Sequence, residues 1–411
     1  MKKILIITSK YGCNTDASGL CVKNIAEYIM SKGHDVYIIT EPVIGITDCV
    51  EKRNGLHFCP VEAHWFSKLL DSFRLSNTSL LCKAVFKLLC MARHIAVTPF
   101  YPNVSFIRAR RVYKRAKKIV NEKKIDIVVA SYRPFESIYC ALRLKKRFKE
   151  KLYVVGYHLD LLMEPSISKP IVADYQVKKA SKVINKEIAN LDRIIVPQSA
   201  DKHICAQNVF RAGFPLYNAE RRCSDSTFPF PTDCINITYI GTIGGTNRNV
   251  DVVLPLLERL PLYDGKKAIL HIWGKIEDLY SRRRINDTEN IVYHGVADNS
   301  EVFDLLRKSD FLLNITNAVN YRMVPSKTFQ IISTHKPIIN IVQNADDASL
   351  EYFERVGEYL NIYTWDESAV AKLDNYIKLY SGNTISFDDN LFLESTPEYI
   401  AQLILEQDRQ R

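Results

Sequence analysis

With 411 residues, 47% of them hydrophobic and 25% charged, the chain exceeds one ordinary core and is too conventional in composition for a disordered, collagen-like or coiled-coil protein. Two domains are therefore expected. No apolar run nears the roughly 20 residues of a membrane-spanning helix, and the short run at residues 4–8 behind Met1-Lys2-Lys3 is no signal-peptide core. The ten cysteines show no C-x-x-C spacing and read as reduced thiols of a cytosolic protein, not as zinc ligands or disulfides.

The net charge of +10 is uneven. Residues 1–200 carry 34 Lys+Arg against 17 Asp+Glu, and the window 101–150 alone carries 15 against 4. This asymmetry points to a polyanionic partner for the first half, or to a solvated basic surface with no specific partner.

In chain order, residues 4–8 are a continuous apolar run, the mark of a strand covered on both faces. Val22, Ile25, Ala26 and Ile29 fall on one helical face and Gly33 ends that helix. Residues 35–40 form the next strand, which makes a parallel β-α-β unit. Residues 50–105 are less regular, with amphipathic pieces around Trp65, Phe66, Phe73, Val85, Phe86 and Leu89.

The alternation resumes with a basic helix whose stripe is Ala109, Val112, Tyr113, Ala116, Ile119 and Val120. Strands at 127–130, 153–156 and 193–196 follow, separated by helices near 136–148 and 174–189. Gly213, Pro215, Pro229 and Pro231 interrupt regular structure across 213–233. Beyond them strands are expected at 235–240, 268–273, 291–293, 311–315 and 337–342, with helices at 250–260, 301–307 and 326–333. A last helix starts at Thr396 as N-cap, with Pro397 in its first position. Two doubly wound α/β domains in tandem describe this pattern: residues 1–212 joined by the closing helix 396–411, and residues 213–395.

In such sheets ligands bind beyond the carboxyl ends of strands. After the first strand comes a loop of small residues, from Gly12 through Asp16 to Gly19, without a G-x-G-x-x-G fingerprint. Arg133 follows the 127–130 strand, and His158 and Asp160 follow the 153–156 strand, either as a polarised pair or as an ordinary structural hydrogen bond. Gly241-Thr242-Ile243-Gly244-Gly245-Thr246-Asn247-Arg248 offers close backbone approach and a guanidinium fork for phosphate. Ser326 and Lys327 open a helix and suit phosphate oxygens, or are a plain cap and a solvated lysine.

These pieces in this order resemble a family 4-type glycosyltransferase. The resemblance spans nearly the whole chain and is strongest in Ile237-Thr238-Tyr239-Ile240-Gly241-Thr242-Ile243, Leu270-His271-Ile272-Trp273-Gly274, Ile291-Val292-Tyr293-His294-Gly295-Val296 and Pro325-Ser326-Lys327-Thr328-Phe329-Gln330 through His335-Lys336-Pro337-Ile338. It implies the GT-B fold, two Rossmann-like domains facing each other across a cleft, with the closing helix returning to the first. It implies a nucleotide-sugar in the second domain: Gly241, Thr242 and Arg248 by the diphosphate, Ser326 and Lys327 opposite, His294, Gly295 and Val296 along the base, and Gln330 at the ribose. His158, Arg248 and Lys327 would act in catalysis. Gly19, Asp16, Arg133 and Asp160 would hold a glycan or polyprenyl-diphosphate-linked acceptor. The implied reaction is retaining sugar transfer in cell-surface polysaccharide synthesis. It needs neither metal nor cofactor, because cations and backbone N–H groups stabilise the departing diphosphate.

The chain departs from the family in lacking its two glutamates. Gln330 stands at the second, and Arg322 stands eight positions before it. His335 replaces the usual Gly. A non-catalytic membrane-associated relative and a nucleotide-sugar epimerase on the same fold are the alternatives. Nucleic acid is not expected, since no recognition motif accompanies the basic helix. The basic first half with its apolar 65–100 stretch suits peripheral attachment to the inner face of the cell membrane. An extra helical pair packed on the core would use the same residues.

Overall fold

The computed structural model describes the chain apart from residues 12–16, 42–50, 54, 62–84, 87, 93–98, 100, 102–104, 133–134, 160–169, 201–203, 219–227, 245–246 and 408–411. It comprises two compact units, Met1–Pro215 with Pro397–Arg411, and Leu216–Thr396.

The first unit is built on a sheet of β1 (Lys3–Ile7), β2 (Asp35–Thr40), β3 (Glu51–Arg53), β4 (Leu56–Pro60), β5 (Ile127–Tyr132), β6 (Tyr153–His158), β7 (Arg193–Pro197) and β8 (Val209–Ala212), in the order β3-β4-β2-β1-β5-β6-β7-β8. Only β3 runs antiparallel to its neighbour. Its helices are α1 (Ala17–Ser31), α2 (Phe106–Lys123), α3 (Phe135–Phe148) and α4 (Pro170–Asn190). Leu5, Ile7, Val128, Ala130 and Val154 share a core with Val112 and Ala116 of α2, Ile138 and Leu144 of α3, and Ala180 and Ile184 of α4.

Right-handed crossovers in opposite directions from β1 put α1 on the other face. There α1 buries Cys21, Val22, Ile25, Ala26 and Ile29. The closing helix, Pro397–Leu405, packs with it, burying Ile400, Ala401, Leu403 and Ile404. Tyr28 Oη donates to Glu398 Oε1 at 2.6 Å, and Arg193 donates to the Leu403 carbonyl. The Thr396 hydroxyl donates to the Leu393 carbonyl at 2.7 Å, and Pro397 takes the first helical position.

The second unit holds an all-parallel sheet of β9 (Cys234–Ile240), β10 (Lys267–Trp273), β11 (Ile291–Gly295), β12 (Phe311–Ile315), β13 (Ile338–Val342) and β14 (Leu360–Tyr363), in the order β11-β10-β9-β12-β13-β14. Helices α5 (Leu254–Glu258), α6 (Leu279–Asp287), α7 (Asn299–Lys308), α8 (Lys327–Ile332), α9 (Leu350–Val356) and α10 (Ala369–Tyr380) flank it. Odd-numbered β9 residues Ile235, Ile237 and Tyr239 face a core with Leu270, Ile272, Leu313 and Ile341. The opposite face carries an in-register asparagine ladder: Asn314 donates to Asn340, and Asn340 to Asn361, each at 2.7 Å. The helix expected over 250–260 is instead a 3₁₀ turn, Val250–Val252, followed by the short α5. Pro255 supplies no N–H for a continuous helical ladder there.

Candidate functional site

In the second sheet the chain winds one way through β9, β10 and β11 and the other way through β12, β13 and β14. The switch point is therefore between β9 and β12, and a crevice opens at their carboxyl ends. The segment after β9 contains Gly241, Thr242, Ile243 and Gly244, and the segment after β12 leads to α8. Both lie on that carboxyl edge.

The two segments are stitched together. Asn317 Oδ1 accepts from Asn247 Nδ2 at 3.0 Å and from Arg248 Nε at 3.1 Å. The Asn317 amide group also donates to the carbonyls of Met323 and Asn320, and the Ala318 N–H donates to the Asn247 carbonyl at 2.9 Å. Beneath them the buried Asp347 accepts the Asn317 N–H at 3.1 Å. Burial raises the Asp347 pKa, and its bonds to Ser349 and Asn317 and the Arg248 charge oppose that rise. Arg248 is thus held in place at the bend.

The start of α8, on the same carboxyl edge, has unused polarity. None of the side chains of Ser326, Lys327, Thr328 and Gln330 has a hydrogen-bond or ion-pair partner among the described residues. Gln330 is 4% exposed and Thr328 fully buried. Ser326 is itself helical, at φ −58° and ψ −28°, and does not cap α8 with its hydroxyl, contrary to the plain-cap expectation. Burial depresses the Lys327 ammonium to about 8. Buried polar groups are normally satisfied, so the buried, unpartnered Thr328 hydroxyl, with the Gln330 amide and the partly buried Ser326 and Lys327 beside it, marks a surface that takes a polar ligand. An anion answers the lysine.

The rim of the crevice over β9, β10 and β11 is backbone. Gly274 has φ +146°, and a Cβ there would lie 1.8 Å from the Gly241 carbonyl oxygen. The Gly241 N–H donates to the Trp273 carbonyl at 2.9 Å, and the Gly274 N–H to the Gly295 carbonyl at 2.6 Å. Gly295 itself has φ +82°. The His294 ring stacks on Trp273 at 4.2 Å and meets His271 Nδ1 at 3.0 Å, while His271 Nε2 reaches Asn236 Oδ1. Burial, with a smaller contribution from His294, lowers His271 to about 4, so it is neutral at physiological pH. With the His294 ring committed to the stack, the Gly295 and Val296 backbone is what this strand end offers a ligand. Val296 is exposed.

In the first unit the winding reverses between β1 and β5. Gly19 lies inside the first turn of α1, not in the preceding loop as expected, because the helix already begins at Ala17. Asp16, Arg133 and Asp160 lie outside the described residues. His158 ends β6, buried against Glu187 of α4, Nε2 to Oε2 2.7 Å. Among the described residues no group of three His, Cys, Asp or Glu could hold a metal ion, and no helix is long and apolar enough to cross a membrane.

Neither a protein-family model nor a curated protein matches the sequence. Solved structures match its fold. WaaG, a glycosyltransferase of lipopolysaccharide biosynthesis, aligns with a TM-score of 0.58 over 98% of this chain and 99% of its own, at 13% identity. An Escherichia coli trehalose-6-phosphate protein bound with UDP-2-fluoro glucose aligns at 0.57 over 99% and 96%, at 9% identity. A UDP-N-acetylglucosamine 2-epimerase of Listeria monocytogenes aligns at 0.53 over 92% and 88%, also at 9% identity. The chain has the GT-B fold.

Several residues that shape this GT-B chain's crevice escape a sequence reading. Thr316 and Asn317 follow β12 directly, so position at a strand end is the one sequence signal that points to Asn317. Asp347 and Tyr239, whose Oη donates to the Thr242 carbonyl at 3.0 Å, carry no local signal. Glu187 reads as one more charge on a charged helix until packing buries it.

Proposed function

We propose that this chain moves a sugar from a nucleoside-diphosphate sugar onto a glycan or lipid-linked saccharide, and that its second unit binds the donor. The observation that carries the reading is the run of unpartnered polar side chains at Ser326, Lys327, Thr328 and Gln330, on the carboxyl edge that also bears Thr242 and Arg248. In this reading Lys327 and Arg248 neutralise the charge that grows on the departing diphosphate. The Thr242 and Ser326 hydroxyls complete its coordination, and no metal is required. Gln330 meets the ribose, and the backbone at Gly295 and Val296 runs along the base. His158 is the catalytic candidate of the first unit. Retention of anomeric configuration enters through the resemblance of the 325–338 run.

UDP is the first ligand to try, given the relative bound to a UDP-sugar. At 100 times its Kd, UDP should stabilise the folded protein by about 2.7 kcal/mol, a melting-temperature rise of several degrees. No rise with UDP, nor with any other nucleoside diphosphate, removes the reading. The companion assay follows UDP release together with the sugar product, since an epimerase on this fold would use the same donor site.

The first unit's basic face supports attachment to an anionic bilayer. Arg110, Arg111 and Lys114 of α2 and Lys146 and Arg147 of α3 are exposed, and Phe106 and Ile107 are 52% and 54% exposed at the start of α2. Basic residues beside apolar ones suit lipid headgroups. The protein should float with phosphatidylglycerol vesicles at low salt and be released at high salt. Flotation indifferent to lipid charge rejects this attachment.

A further inference from the structure

The Arg248 guanidinium is oriented by neutral oxygens. Its Nε donates to Asn317 Oδ1 at 3.1 Å. It also lies against the buried Tyr239 hydroxyl, where its charge and its hydrogen bond oppose the rise that burial imposes on the phenol pKa. Among the described residues no carboxylate forms an ion pair with it. Asp347 is near enough to feel the charge, but that carboxylate accepts from the Ser349 N–H and hydroxyl and from the Asn317 N–H instead. An arginine matched to an acid spends its charge on that partner. One aimed by neutral acceptors keeps the charge for an anion that arrives later.

Tyr239 holds this arginine from below. Its ring belongs to the core of the second unit, and its hydroxyl comes up under the bend after β9. Tyr239 Oη donates to the Thr242 carbonyl at 3.0 Å. That bond commits the phenol proton and leaves the oxygen's lone pairs for the guanidinium. A Cβ on Gly241 would stand 2.7 Å from the same oxygen and 3.0 Å from Cζ, so the glycine is what admits the hydroxyl to this place. The backbone around Arg248 is fixed by other groups. The Gly244 N–H donates to the Arg248 carbonyl at 3.0 Å, and Gln343 Nε2 donates to the Asn247 carbonyl at 3.0 Å. What the Tyr239 hydroxyl adds at Arg248 is therefore the direction of the side chain.

We propose that Tyr239 is a positioning residue for Arg248: its hydroxyl, with the Asn317 amide oxygen, aims the guanidinium and leaves its charge unpaired for the diphosphate of the donor. The inference rests on the sugar-transfer reading for the identity of the anion, but the orientation of Arg248 is a property of the protein alone.

Tyr239→Phe deletes one oxygen and keeps the ring that fills the core, and two measurements on it decide the matter. In the ligand-free protein, the Arg248 Nε–H signal in nitrogen-15 NMR, assigned by its loss in Arg248→Lys, should be ordered in wild type. In Tyr239→Phe it should become mobile and exchange faster with water. In the second measurement, Tyr239→Phe should weaken UDP binding roughly 3- to 100-fold and change nothing in an Arg248→Ala background. Uridine, which has no phosphate, should bind wild type and Tyr239→Phe alike. An Arg248 Nε–H equally ordered in both proteins, or wild-type UDP affinity in Tyr239→Phe, overturns the proposal. Equal UDP losses with and without Arg248, or a parallel loss of uridine binding, also overturn it, because the hydroxyl would then act through the Thr242 carbonyl or the fold. If the wild-type protein binds neither UDP nor another nucleoside diphosphate, the sugar-transfer reading fails by itself, and the NMR comparison still decides whether Tyr239 orients Arg248.

Discussion

Replacing Lys327 by Met should make the ligand-free protein more heat-stable and weaken its response to UDP. The ammonium of Lys327 is desolvated at the start of α8 and has no counter-charge among the described residues. Its folded pKa of about 8 lies below the ordinary lysine value, so the unfolded chain holds this proton more tightly than the folded one. The charge therefore opposes folding fully below about pH 8, and this opposition fades as pH rises from there to the unfolded lysine pKa. Methionine fills similar space without the charge, so the gain in melting temperature should be present at pH 7 and shrink above pH 9. Diphosphate binding reverses the sign of the interaction. Losing one charge-assisted contact costs about 1.5–3 kcal/mol, which is roughly 10- to 150-fold in Kd.

The same charge predicts a pH dependence. In the wild-type protein UDP affinity should decline as pH climbs past about 8, where Lys327 deprotonates. Lys327→Arg, which does not titrate in that range, should hold its affinity flat. Met and wild type with equal UDP affinity at pH 7 would detach Lys327 from the ligand and leave its burial without a purpose.

Which parts of this architecture the sequence disclosed follows from where water reaches. Strands β1, β2, β5, β6, β7, β9, β10, β12 and β13 lie inside parallel sheets and are covered on both faces, so each is written as a mostly apolar run. Strands β3, β8 and β14 sit at sheet edges. They are three or four residues long, half-exposed where their burial is described, and carry polar residues such as Arg211 and Asn361, so they leave no comparable trace. The asparagine ladder is the converse case. Asn314 and Asn340 are buried polar residues in apolar strands, and only the register of three neighbouring strands explains how they are satisfied.

The crevice was legible in part for a related reason. A glycine bend after a strand is a local feature and shows in one dimension. The bonds that make it rigid, from Asn247 and Arg248 to Asn317, span about seventy residues of sequence, and no local pattern encodes such a partner. Glu187 is hidden more deeply still, because its environment is produced by Gly156 and Leu191 around it.

Gly274→Ala should be the most damaging single-methyl change in the second unit. The new Cβ would fall 1.8 Å from the Gly241 carbonyl oxygen and 2.6 Å from its carbon, at a backbone φ of +146°. These are main-chain atoms of the adjacent strand end, so no rotamer change can relieve the contact. Either the ends of β9 and β10 separate, breaking the bond from Gly241 N–H to the Trp273 carbonyl, or the variant unfolds. The strain alone is about 3 kcal/mol, which lowers the melting temperature of a unit this size by roughly 6–12 °C. UDP binding should be lost in whatever fraction remains folded, because the same displacement carries Gly241 and Thr242 away from Lys327. Gly265→Ala separates strain from position. That glycine has φ +78° with nothing within 4 Å of its would-be Cβ, so the substitution should cost about 1–2 kcal/mol and leave UDP binding intact. Equal losses of UDP binding in both variants would mean that general destabilisation, and not the geometry at the carboxyl edge, controls the ligand. Wild-type melting and wild-type binding in Gly274→Ala would show that the ends of β9 and β10 do not approach each other as described.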